Sequence, residues 1–422
     1  FEVVKVLNDH PDEDLIYFDD DKMDSQGRIE PFFKPDWSPD LFLSMNYLGH
    51  PVIRKSLLEE IGGFREGFEG SQDYDILLRV TEQTNRIFHI SKQLYSWRKV
   101  PGSAASIRYK PYAMPAGKLA ILDAIERRGI QGDVEDGVYA DLYRVRYRIG
   151  SPLVTIIIPT KNQCELLRRC LTSIESKSTY RNYEIIVVDH DSDNPEAVDY
   201  LNHIKTLPGY IVLKFHGSFN YSRIINLAAE HARGYHLLLL NNDTEVVKED
   251  WIEAMLEHSQ RESVAIVGSK LIFPDGKIQH AGVIVGLGSL AWHAFYKQPA
   301  SKPGYLGLSD VIRNCSAVTA ACMMVRRHIF QILNGFDEKI EVDLGDVDFC
   351  LRAIQLGYQI VYTPYAVLKH YEGASRKASG TYIHHLNDRK LFTERWGTLL
   401  REGDPYYNPN LSLTSSDYRT CA

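Results

Sequence analysis

Thr155-Ile-Ile-Ile-Pro159 is a run of β-branched residues that ends at a proline, and it predicts a short buried strand of a parallel sheet. Apolar residues then recur at helical spacing from Leu166 to Ile174, before a second buried strand at Glu184-Ile-Ile-Val-Val-Asp189. The alternation continues with helices over 195–204 and 221–232 and strands over 211–215 and 235–240. Such a pattern predicts an α/β fold, a mostly parallel sheet with helices on both faces.

Polar residues follow three of these strands. The clusters are Pro159-Thr-Lys-Asn162, Asp189-His-Asp-Ser192 and Asn241-Asn-Asp-Thr244. One such cluster is explained by the preference of Asn and Asp for turns, but ligands of parallel sheets bind at the carboxyl ends of strands. Three clusters at successive strand ends therefore predict a nucleotide and metal pocket, with one carboxylate for the base or ribose and another for a hard divalent cation.

The composition restricts the partners and the location of the chain. Its 48 Lys and Arg against 55 Asp and Glu give a net charge of -7, which argues against nucleic-acid binding through a broad basic face. Six cysteines form no Cys-x-x-Cys pair, so neither a zinc site nor a disulfide framework is predicted. Because no apolar run approaches the length of a membrane span, we expect a cytoplasmic protein, at most peripheral at the inner face of the plasma membrane.

A motif of two acidic residues and an arginine occurs twice. Gly63-Phe64 precedes Asp73-Tyr-Asp75 and Arg79, and Gly335-Phe336 precedes Asp346-Val-Asp348 and Arg352. In both copies the second Asp lies four residues before the Arg, so the two side chains share one helical face and are expected to form an ion pair. The first Asp of each copy is left free for chemistry.

The two copies differ in completeness, and this difference predicts the organisation of the chain. We expect a partial copy over residues 1–110 with only the C-terminal half of the fold, a helical connector over 111–150, a complete domain over 151–400 and a loosely ordered tail over 401–422. Half a sheet exposes an edge and an apolar face. It is therefore expected to dock on the complete domain, on another chain as in a homo-oligomer, or on a preceding segment of a longer tandem enzyme.

Two charged runs lie outside these motifs. Asp19-Asp20-Asp21 is interpreted as a surface or structural acid run. Arg144, Arg146 and Arg148 predict a solvated charged face or, alternatively, a contact with anionic lipid or a polyprenyl diphosphate.

Eight segments between residues 155 and 376 occur in a fixed order. They are 155–161, 183–189, Phe219-Asn-Tyr-Ser222 with Asn226, 240–245, Gln279-His-Ala-Gly282, 317–326, Asp346-Val-Asp348 with Arg352, and 370–376. In these segments the sequence resembles the family 2 glycosyltransferases of the GT-A fold, in particular tandem bacterial enzymes of surface-polysaccharide assembly of the O-antigen or rhamnan type. The resemblance implies a GT-A sheet, Rossmann-like and mostly parallel, with a partial GT-A repeat and the connector before it.

The resemblance also implies roles for particular residues. Asp189 would hold the nucleobase, the Asn241-Asn242-Asp243 triplet would grip the diphosphate and the metal, and Asp346 would be the catalytic base. His370 would complete the shell of a Mn2+ or Mg2+ ion that Asp243 binds. The full set of expected donor contacts is Pro159, Thr160, Lys161, Asp189, Asp191, Asn220, Asn241, Asn242 and Asp243, and the expected acceptor contacts are Trp292, Asp348 and Arg376.

Two of these sites carry an open alternative. Trp292 belongs to an aromatic stretch that is able to stack on a sugar ring, but core packing explains the same residues equally well. The family commonly has Asn-Gly-Ser after the nucleobase Asp, whereas here Asp189 is followed by His190-Asp191-Ser192. A different specificity for the base or the sugar is therefore expected.

The sequence thus predicts an inverting, metal-dependent glycosyltransferase. Direct displacement at the anomeric carbon needs one base, and a single free carboxylate supplies it. The expected partners are a nucleotide-sugar donor and an oligosaccharide or polyprenyl-diphosphate-linked acceptor, with no nucleic acid. The alternatives are a non-catalytic carbohydrate-binding or scaffold protein with a degenerate site, and a nucleotidyltransferase.

Overall fold

A four-stranded and a ten-stranded sheet organise the computed structural model, which describes residues 1–27, 29–99, 112–371 and 385–421. The N-terminal elements are α1 (Glu2–Asp9), β1 (Leu15–Met23), β2 (Ile29–Phe32), α2 (Pro39–Ser44), β3 (Val52–Ile53), α3 (Lys55–Glu60), α4 (Gln72–Gln83) and β4 (Ile87–Arg98). Strand β1 lies in the middle of the first sheet. Strands β2 and β3 pair with it in the antiparallel sense, and β4 pairs with it in parallel.

The connector is only half helical. It contains α5 (Ala113–Arg127) and then an antiparallel hairpin of β5 (Gly132–Asp136) and β6 (Tyr143–Tyr147). Val134, Tyr143, Val145 and Tyr147 are buried. These residues form two strands that pair with each other. The prediction of a helical connector is therefore wrong for this part.

The second sheet begins with the alternation that the sequence predicts. Its first elements are β7 (Val154–Thr160), α6 (Cys164–Lys177), β8 (Tyr183–His190), α7 (Pro195–Ile204), β9 (Tyr210–Phe215), α8 (Tyr221–His231) and β10 (His236–Leu240). Strand β7 pairs in parallel with β8 and β10, and β8 pairs in parallel with β9. Ile156 and Ile158 pack into one apolar core and Ile157 into the other, so both faces of the sheet are covered.

Antiparallel strands extend this sheet on the far side of β10. The remaining elements are β11 (Thr244–Val246), α9 (Trp251–Ser259), β12 (Val264–Ile272), β13 (Ile278–His280), β14 (Val283–Val285), β15 (Ala291–His293), β16 (Arg313–Asn314), β17 (Cys322–Arg326), α10 (Arg327–Ile332), α11 (Gly345–Gln355), β18 (Gln359–His370) and α12 (Leu386–Glu402). The main path of the sheet is β11-β18-β12-β17-β10-β7-β8-β9. Strands β14 and β15 form a separate two-stranded ribbon.

Strand β12 has the same set of partners as β1. Strands β13 and β17 pair with it in the antiparallel sense, as β2 and β3 do with β1, and β18 pairs with it in parallel, as β4 does. The hairpin turns after β1 and β12 each contain a glycine with positive φ, Gly27 at 77° and Gly276 at 81°. The two regions thus share one strand topology.

The C-terminal tail is packed into the protein, so the prediction of a loosely ordered tail is wrong. Asp404 is buried, and its carboxylate accepts hydrogen bonds from Ser316 Oγ and from the backbone N–H of Val285, both at 2.7 Å. Tyr407, Leu411 and Tyr418 are also buried. A few apolar anchors and one satisfied carboxylate order a segment whose average composition is polar.

The first sheet docks on the second region through buried polar contacts. Asp40 of α2 binds Arg261, and Asn314 Nδ2 donates to Asp40 Oδ2 at 2.8 Å. In the tail, Asn408 Nδ2 donates to both carboxylate oxygens of Asp19, at 3.0 and 2.9 Å. The run Asp19-Asp20-Asp21 is therefore structural and buried, and docking on the complete domain is the arrangement that the structure contains.

The arginines of the connector also serve packing. Arg144 is buried and its Nη2 lies 3.2 Å from Glu257 Oε1, which Arg146 Nε approaches at 3.1 Å. Arg144 is buried against Glu257, so neither a solvated face nor a lipid contact describes it, whereas Arg146 binds the same carboxylate and stays 37% exposed. Within the described ranges, no helix has the length and apolar character needed to cross a bilayer.

Candidate active site

The carboxyl ends of β7, β8 and β10 lie side by side, as their parallel pairing requires. Thr160 at the end of β7 is the cross-strand partner of Asp189 on β8. Its Oγ1 accepts a hydrogen bond from Asn242 Nδ2, 2.9 Å away, beyond the end of β10. The structure thus brings together the three polar clusters that the sequence predicts. Pro159 is paired with Val188 in the same register, and Lys161 is exposed at the rim.

Asp189 is fully buried, and both of its carboxylate oxygens have partners. Oδ1 accepts from the backbone N–H of Ser192 at 3.0 Å, and Oδ2 binds Lys214 Nζ at the end of β9. Lys214 is 53% exposed, so its ammonium group remains accessible beside the carboxylate. This ion pair gives the site a hydrogen-bond acceptor next to a cationic donor.

Asp191 lies in the turn that follows. Its φ of 49° is in the left-handed region that favours glycine, which accounts for the glycine that the family commonly has in this turn. Its Oδ1 lies 2.6 Å from Nδ1 of His216. That hydrogen bond lowers the pKa of Asp191 below its usual value.

Asn220 has a structural role at the start of α8, and its contact with the donor stays a prediction. It is the N-cap of α8, where its Oδ1 accepts from the backbone N–H of Arg223 at 2.9 Å. Its Nδ2 donates to the carbonyl of Glu338 at 2.9 Å, and the residue is buried. Both functional groups of the amide are therefore used in holding the helix.

Asp243 and His370 meet at the end of the sheet. Strand β11 pairs with β18 in a register that places Thr244 opposite His370, and His370 Nε2 lies 3.1 Å from Asp243 Oδ1. Asn241 Nδ2 is 3.4 Å from the same nitrogen. Two ligands at about 2.1 Å from one octahedral ion and at right angles to each other are about 3 Å apart, so the oxygen and the nitrogen fit adjacent ligand positions.

The chemistry of this donor set fits a divalent cation with an incomplete protein shell. No group of three or more His, Cys, Asp or Glu that could hold a metal occurs among the described residues. A nitrogen and an oxygen ligand suit Mn2+ as well as Mg2+, and Mg2+ sites in proteins commonly use few side chains. Nδ1 of His370 is buried without a hydrogen-bond partner in the part of the chain that the structure describes.

Asp346 lies in the first turn of α11 and is half-buried. Its Oδ2 accepts from the backbone N–H of Ala320 at 3.0 Å, and its Oδ1 accepts from its neighbour Val347 N–H at 2.9 Å. Burial is the main effect on its carboxyl group and raises the pKa above the usual value, against these hydrogen bonds. No Lys or Arg of the described ranges forms a salt bridge with it, so it remains an unpaired acid.

The loop before β17 connects the acid to the metal-binding pair. Ala320 donates its N–H to Asp346, and the carbonyl of Ala321 accepts from the backbone N–H of Asn241 at 3.0 Å. Asn241 in turn approaches His370. The acid, the strand-end triplet and the histidine are therefore connected through this loop.

Asp348 binds side chains of the protein itself, and its contact with an acceptor stays a prediction. It is fully buried, and its Oδ2 accepts from Arg352 Nε at 2.8 Å, as the four-residue spacing predicts. Its Oδ1 accepts from Arg395 Nη1 at 2.7 Å and from Trp396 Nε1 at 3.0 Å. Trp292 is 43% exposed and is available to a ligand. Arg376 lies outside the described residues.

Lys214, His216 and Thr319 are near the predicted site residues, but sequence reasoning did not identify them. Lys214 and His216 border the base end through Asp189 and Asp191, and Thr319 borders Asp346. The available signal for the first two was their place at the end of β9, inside the strand for Lys214 and directly after it for His216. Thr319 had none beyond its place in the segment 317–326.

A sheet with carboxylates and amides at its parallel strand ends, beside a helix whose acid has no salt-bridge partner among the described residues, defines an α/β domain of the GT-A fold. Residues 155–332 match the family model described as Glycosyl transferase family 2. This part of the chain is a family 2 glycosyltransferase domain.

Two curated relatives match almost the whole chain. It is 42% identical over 428 residues to the uncharacterized protein y4gI of Sinorhizobium fredii, with 99% of this chain and 47% of that protein covered. It is 40% identical over 425 residues to the O-antigen biosynthesis protein RfbC of Myxococcus xanthus, with 99% and 33% covered. The chain therefore spans half or less of these relatives.

A solved structure of GalNAc-T7 with UDP, GalNAc and Mn2+ is similar at 17% identity and a TM-score of 0.49. The match covers 62% of this chain and 51% of that one.

Proposed function

We propose that residues 151–400 transfer a sugar from a nucleotide-diphosphate donor to a saccharide or lipid-linked saccharide in one displacement step, with inversion at the anomeric carbon. The observation that carries this proposal is the placement of Asp346. Its carboxylate is held by two backbone N–H groups, has no cationic partner among the described residues and is linked through the loop 317–321 to the strand-end triplet.

Asp346 acts as the general base in this proposal. The acceptor hydroxyl gives its proton to the carboxylate as its oxygen attacks the anomeric carbon, and the bond from that carbon to the diphosphate breaks. A pKa above the usual value for Asp favours this role, because it strengthens the carboxylate as a base. A single base and no second carboxylate at the reacting carbon lead to inversion.

The donor is oriented by the strand ends. We assign the nucleobase to Asp189 and to Lys214, the half-exposed lysine that it binds, and the diphosphate to Asn241, Asn242 and Asp243. Asp243 and His370 would hold a Mn2+ or Mg2+ ion. Such an ion supplies positive charge to the leaving diphosphate.

The acceptor is proposed from the relatives. RfbC is named for O-antigen biosynthesis, which supports a growing surface polysaccharide or its polyprenyl-diphosphate-linked precursor as the acceptor of this chain. We also propose that residues 1–110 form a partial GT-A copy without a donor site. The shared pairing around β1 and β12 supports this assignment.

A donor-hydrolysis assay tests the proposed reaction. The purified chain is incubated with UDP-, dTDP- and GDP-sugars and Mn2+, and separately with nucleoside triphosphates and a sugar phosphate. A glycosyltransferase slowly releases a nucleoside diphosphate from one nucleotide-sugar, and NMR of the transfer product shows the inverted anomer. Release of pyrophosphate would identify a nucleotidyltransferase. Donor binding in a thermal-shift assay without any release would identify a non-catalytic binding protein.

A further inference from the structure

Two histidines near the loop 317–321 are hydrogen-bonded to each other. His280 at the end of β13 is fully buried, and His293 at the end of β15 is partly buried. Their Nδ1 atoms lie 2.9 Å apart, with the rings nearly perpendicular at 89°. One Nδ1 must carry a proton and the other must accept it. The proposed catalytic step uses neither residue.

Backbone groups determine which of the two is the donor. Nε2 of His280 faces the N–H of Gly282 at 3.3 Å and the N–H of Thr319 at 3.5 Å. A backbone N–H only donates, so this Nε2 is an acceptor without a proton. A neutral imidazole carries its single proton on one nitrogen, and His280 therefore donates from Nδ1.

The same reasoning fixes the second ring. Since Nδ1 of His293 accepts from His280, its proton is on Nε2. Burial lowers the pKa of both histidines, that of His293 to about 4, so both rings are neutral near pH 7. In the part of the chain that the structure describes, Nε2 of His293 has no hydrogen-bond partner. The pair thus presents one N–H of fixed direction.

This N–H lies in a region that is suited to a sugar. Trp292 is the adjacent residue on β15 and is 43% exposed, and its ring centroid is 5.7 Å from that of His293. Strand β15 pairs with β14, where Val283 donates its N–H to Ala317 O at 2.9 Å. Residues 317–321 are the loop that also holds Asp346.

Successive amides of that loop connect the two groups. Thr319 N–H faces His280, and Ala320 N–H binds the carboxylate of Asp346. The direction of the His293 N–H and the position of the acid are thereby set by one short backbone segment. A saccharide in contact with the acid would extend along this loop toward the aromatic side chain.

We propose that Trp292 and His293 form a subsite for a ring of the saccharide acceptor, in which His293 Nε2–H donates to a ring hydroxyl and His280 is the positioning residue. This inference rests on the proposed glycosyl transfer. An aromatic face beside a polar donor matches the two chemical features of a sugar ring, its apolar C–H face and its hydroxyl oxygens.

The first test needs no acceptor. Two-dimensional 1H-15N NMR of the histidine side chains in the wild-type protein is expected to show His293 as the Nε2–H tautomer and His280 as the Nδ1–H tautomer. In His280→Phe, the imposed tautomer of His293 is lost. An Nδ1–H tautomer of His293 in the wild-type protein would overturn the proposal, because its Nε2 would then be unable to donate.

The second test uses transfer kinetics with the octyl glycoside that gives the highest activity in a panel of hexosides and 6-deoxyhexosides. His293→Phe is expected to raise the KM for this acceptor about 2- to 10-fold, the range of one neutral hydrogen bond. His293→Gln, whose amide N–H reaches a similar position, restores part of the loss. The KM for the donor and the rate of donor hydrolysis stay unchanged in both variants.

The controls separate this inference from the proposed function. If no nucleotide-sugar is hydrolysed by the wild-type protein, the proposed glycosyl transfer is wrong. If hydrolysis and melting temperature of His293→Phe are those of wild type but its acceptor KM does not change, the subsite is wrong while the transfer stands. Trp292→Ala is the matched variant, and it is expected to raise the acceptor KM through loss of stacking.

Discussion

The regions 15–98 and 264–370 place the same ion pair on the same scaffold but surround the neighbouring acid differently. In the first, Arg79 binds Asp75 and donates to the carbonyls of Ile61 and Gly63, at 2.8 and 2.6 Å. In the second, Arg352 binds Asp348 and donates to Leu333 and Gly335, at 2.6 and 2.8 Å. This arrangement fastens a helix to the preceding turn in both regions.

The acids two residues before this pair, Asp73 and Asp346, differ. Asp346 is half-buried and held by loop amides, whereas Asp73 is exposed and accepts only from Asn46 Nδ2, at 3.2 Å, among described residues. Among the described residues, only the second region is paired with the strand that follows the Asn241-Asn242-Asp243 triplet, and its own last strand ends at a histidine, His370. Both regions contain the ion pair, but among the described residues the loop-bound acid and the pair Asp243–His370 occur in the second region. The comparison teaches that the scaffold can be present without the reactive groups.

The largest expected effect concerns the half-buried acid. Asp346→Asn is expected to lower the transfer rate about 100- to 10,000-fold, because the amide is unable to take the acceptor proton. Donor binding, followed by thermal shift, should remain near that of wild type. Near-normal turnover of this variant would show that Asp346, like Asp73, is not the catalytic base.

The pH profile gives a second measurement on the same group. Because burial raises the pKa of Asp346, kcat/KM should fall on the acid side at a pH above the usual value for Asp, about 3.9. The base is active when ionised, so the loss occurs as the pH drops through this raised pKa. An acid limb at or below the usual value would contradict the assignment.

Asp243→Ala tests what only the second region has. The variant should lose about 100-fold or more in kcat/KM together with metal-dependent donor binding, because a bound metal contributes several kcal/mol to the stabilisation of charge. A chelator should reproduce the loss in the wild-type protein, and added Mn2+ should reverse it there but not in the variant. Activity that is indifferent to the chelator would exclude the metal role.

The shared ion pair is tested by stability. Asp75→Ala and Asp348→Ala should each lower the free energy of unfolding by about 3 to 5 kcal/mol, because each leaves an arginine, 8% exposed at Arg79 and 20% exposed at Arg352, without its carboxylate. Urea denaturation followed by fluorescence measures both. The exposed pair Lys55–Glu59 is the control, and Glu59→Ala should produce no comparable change. A large effect in one region only would break the equivalence of the scaffolds.

The smallest expected effect is at the exposed acid. Asp73→Asn should leave every measurable transfer rate unchanged, since no triplet or histidine of the described chain accompanies this residue. The same assay that detects the loss in Asp346→Asn provides the reference. A clear decrease in one transfer activity would show that the first region is catalytic.

Much of the second sheet follows from local sequence. Continuous apolar runs, β-branched in β7 and β8 and leucine in β10, locate these three strands. Strands that are buried on both faces consist almost entirely of apolar residues. The spacing of Asp348 and Arg352 predicts their ion pair for the same local reason. The strand-end position of Asp189 and Asp243 is likewise a consequence of parallel pairing.

The other contacts join residues that are distant in sequence, and the sequence alone did not predict them. Lys214 binds Asp189 across 25 residues, and nothing near Lys214 in sequence indicates a partner. Asn220 carries an N-cap signal that is indistinguishable from a ligand's amide until the packing of Glu338 against it is known. The tail looks polar because its ordering depends on three apolar anchors and on Asp404, whose partners Ser316 and Val285 lie 88 and 119 residues away.

The hydrogen bond from Asn408 to Asp19 has a consequence for synthesis on the ribosome. The two residues are separated by 389 positions, so the first strand emerges long before the amide that satisfies its carboxylate. At about 5 to 20 residues per second, the interval is roughly 20 to 80 s. During that interval the face of the first sheet that is buried in the folded protein remains uncovered. A chaperone that binds apolar surface has the longest time to bind at this face.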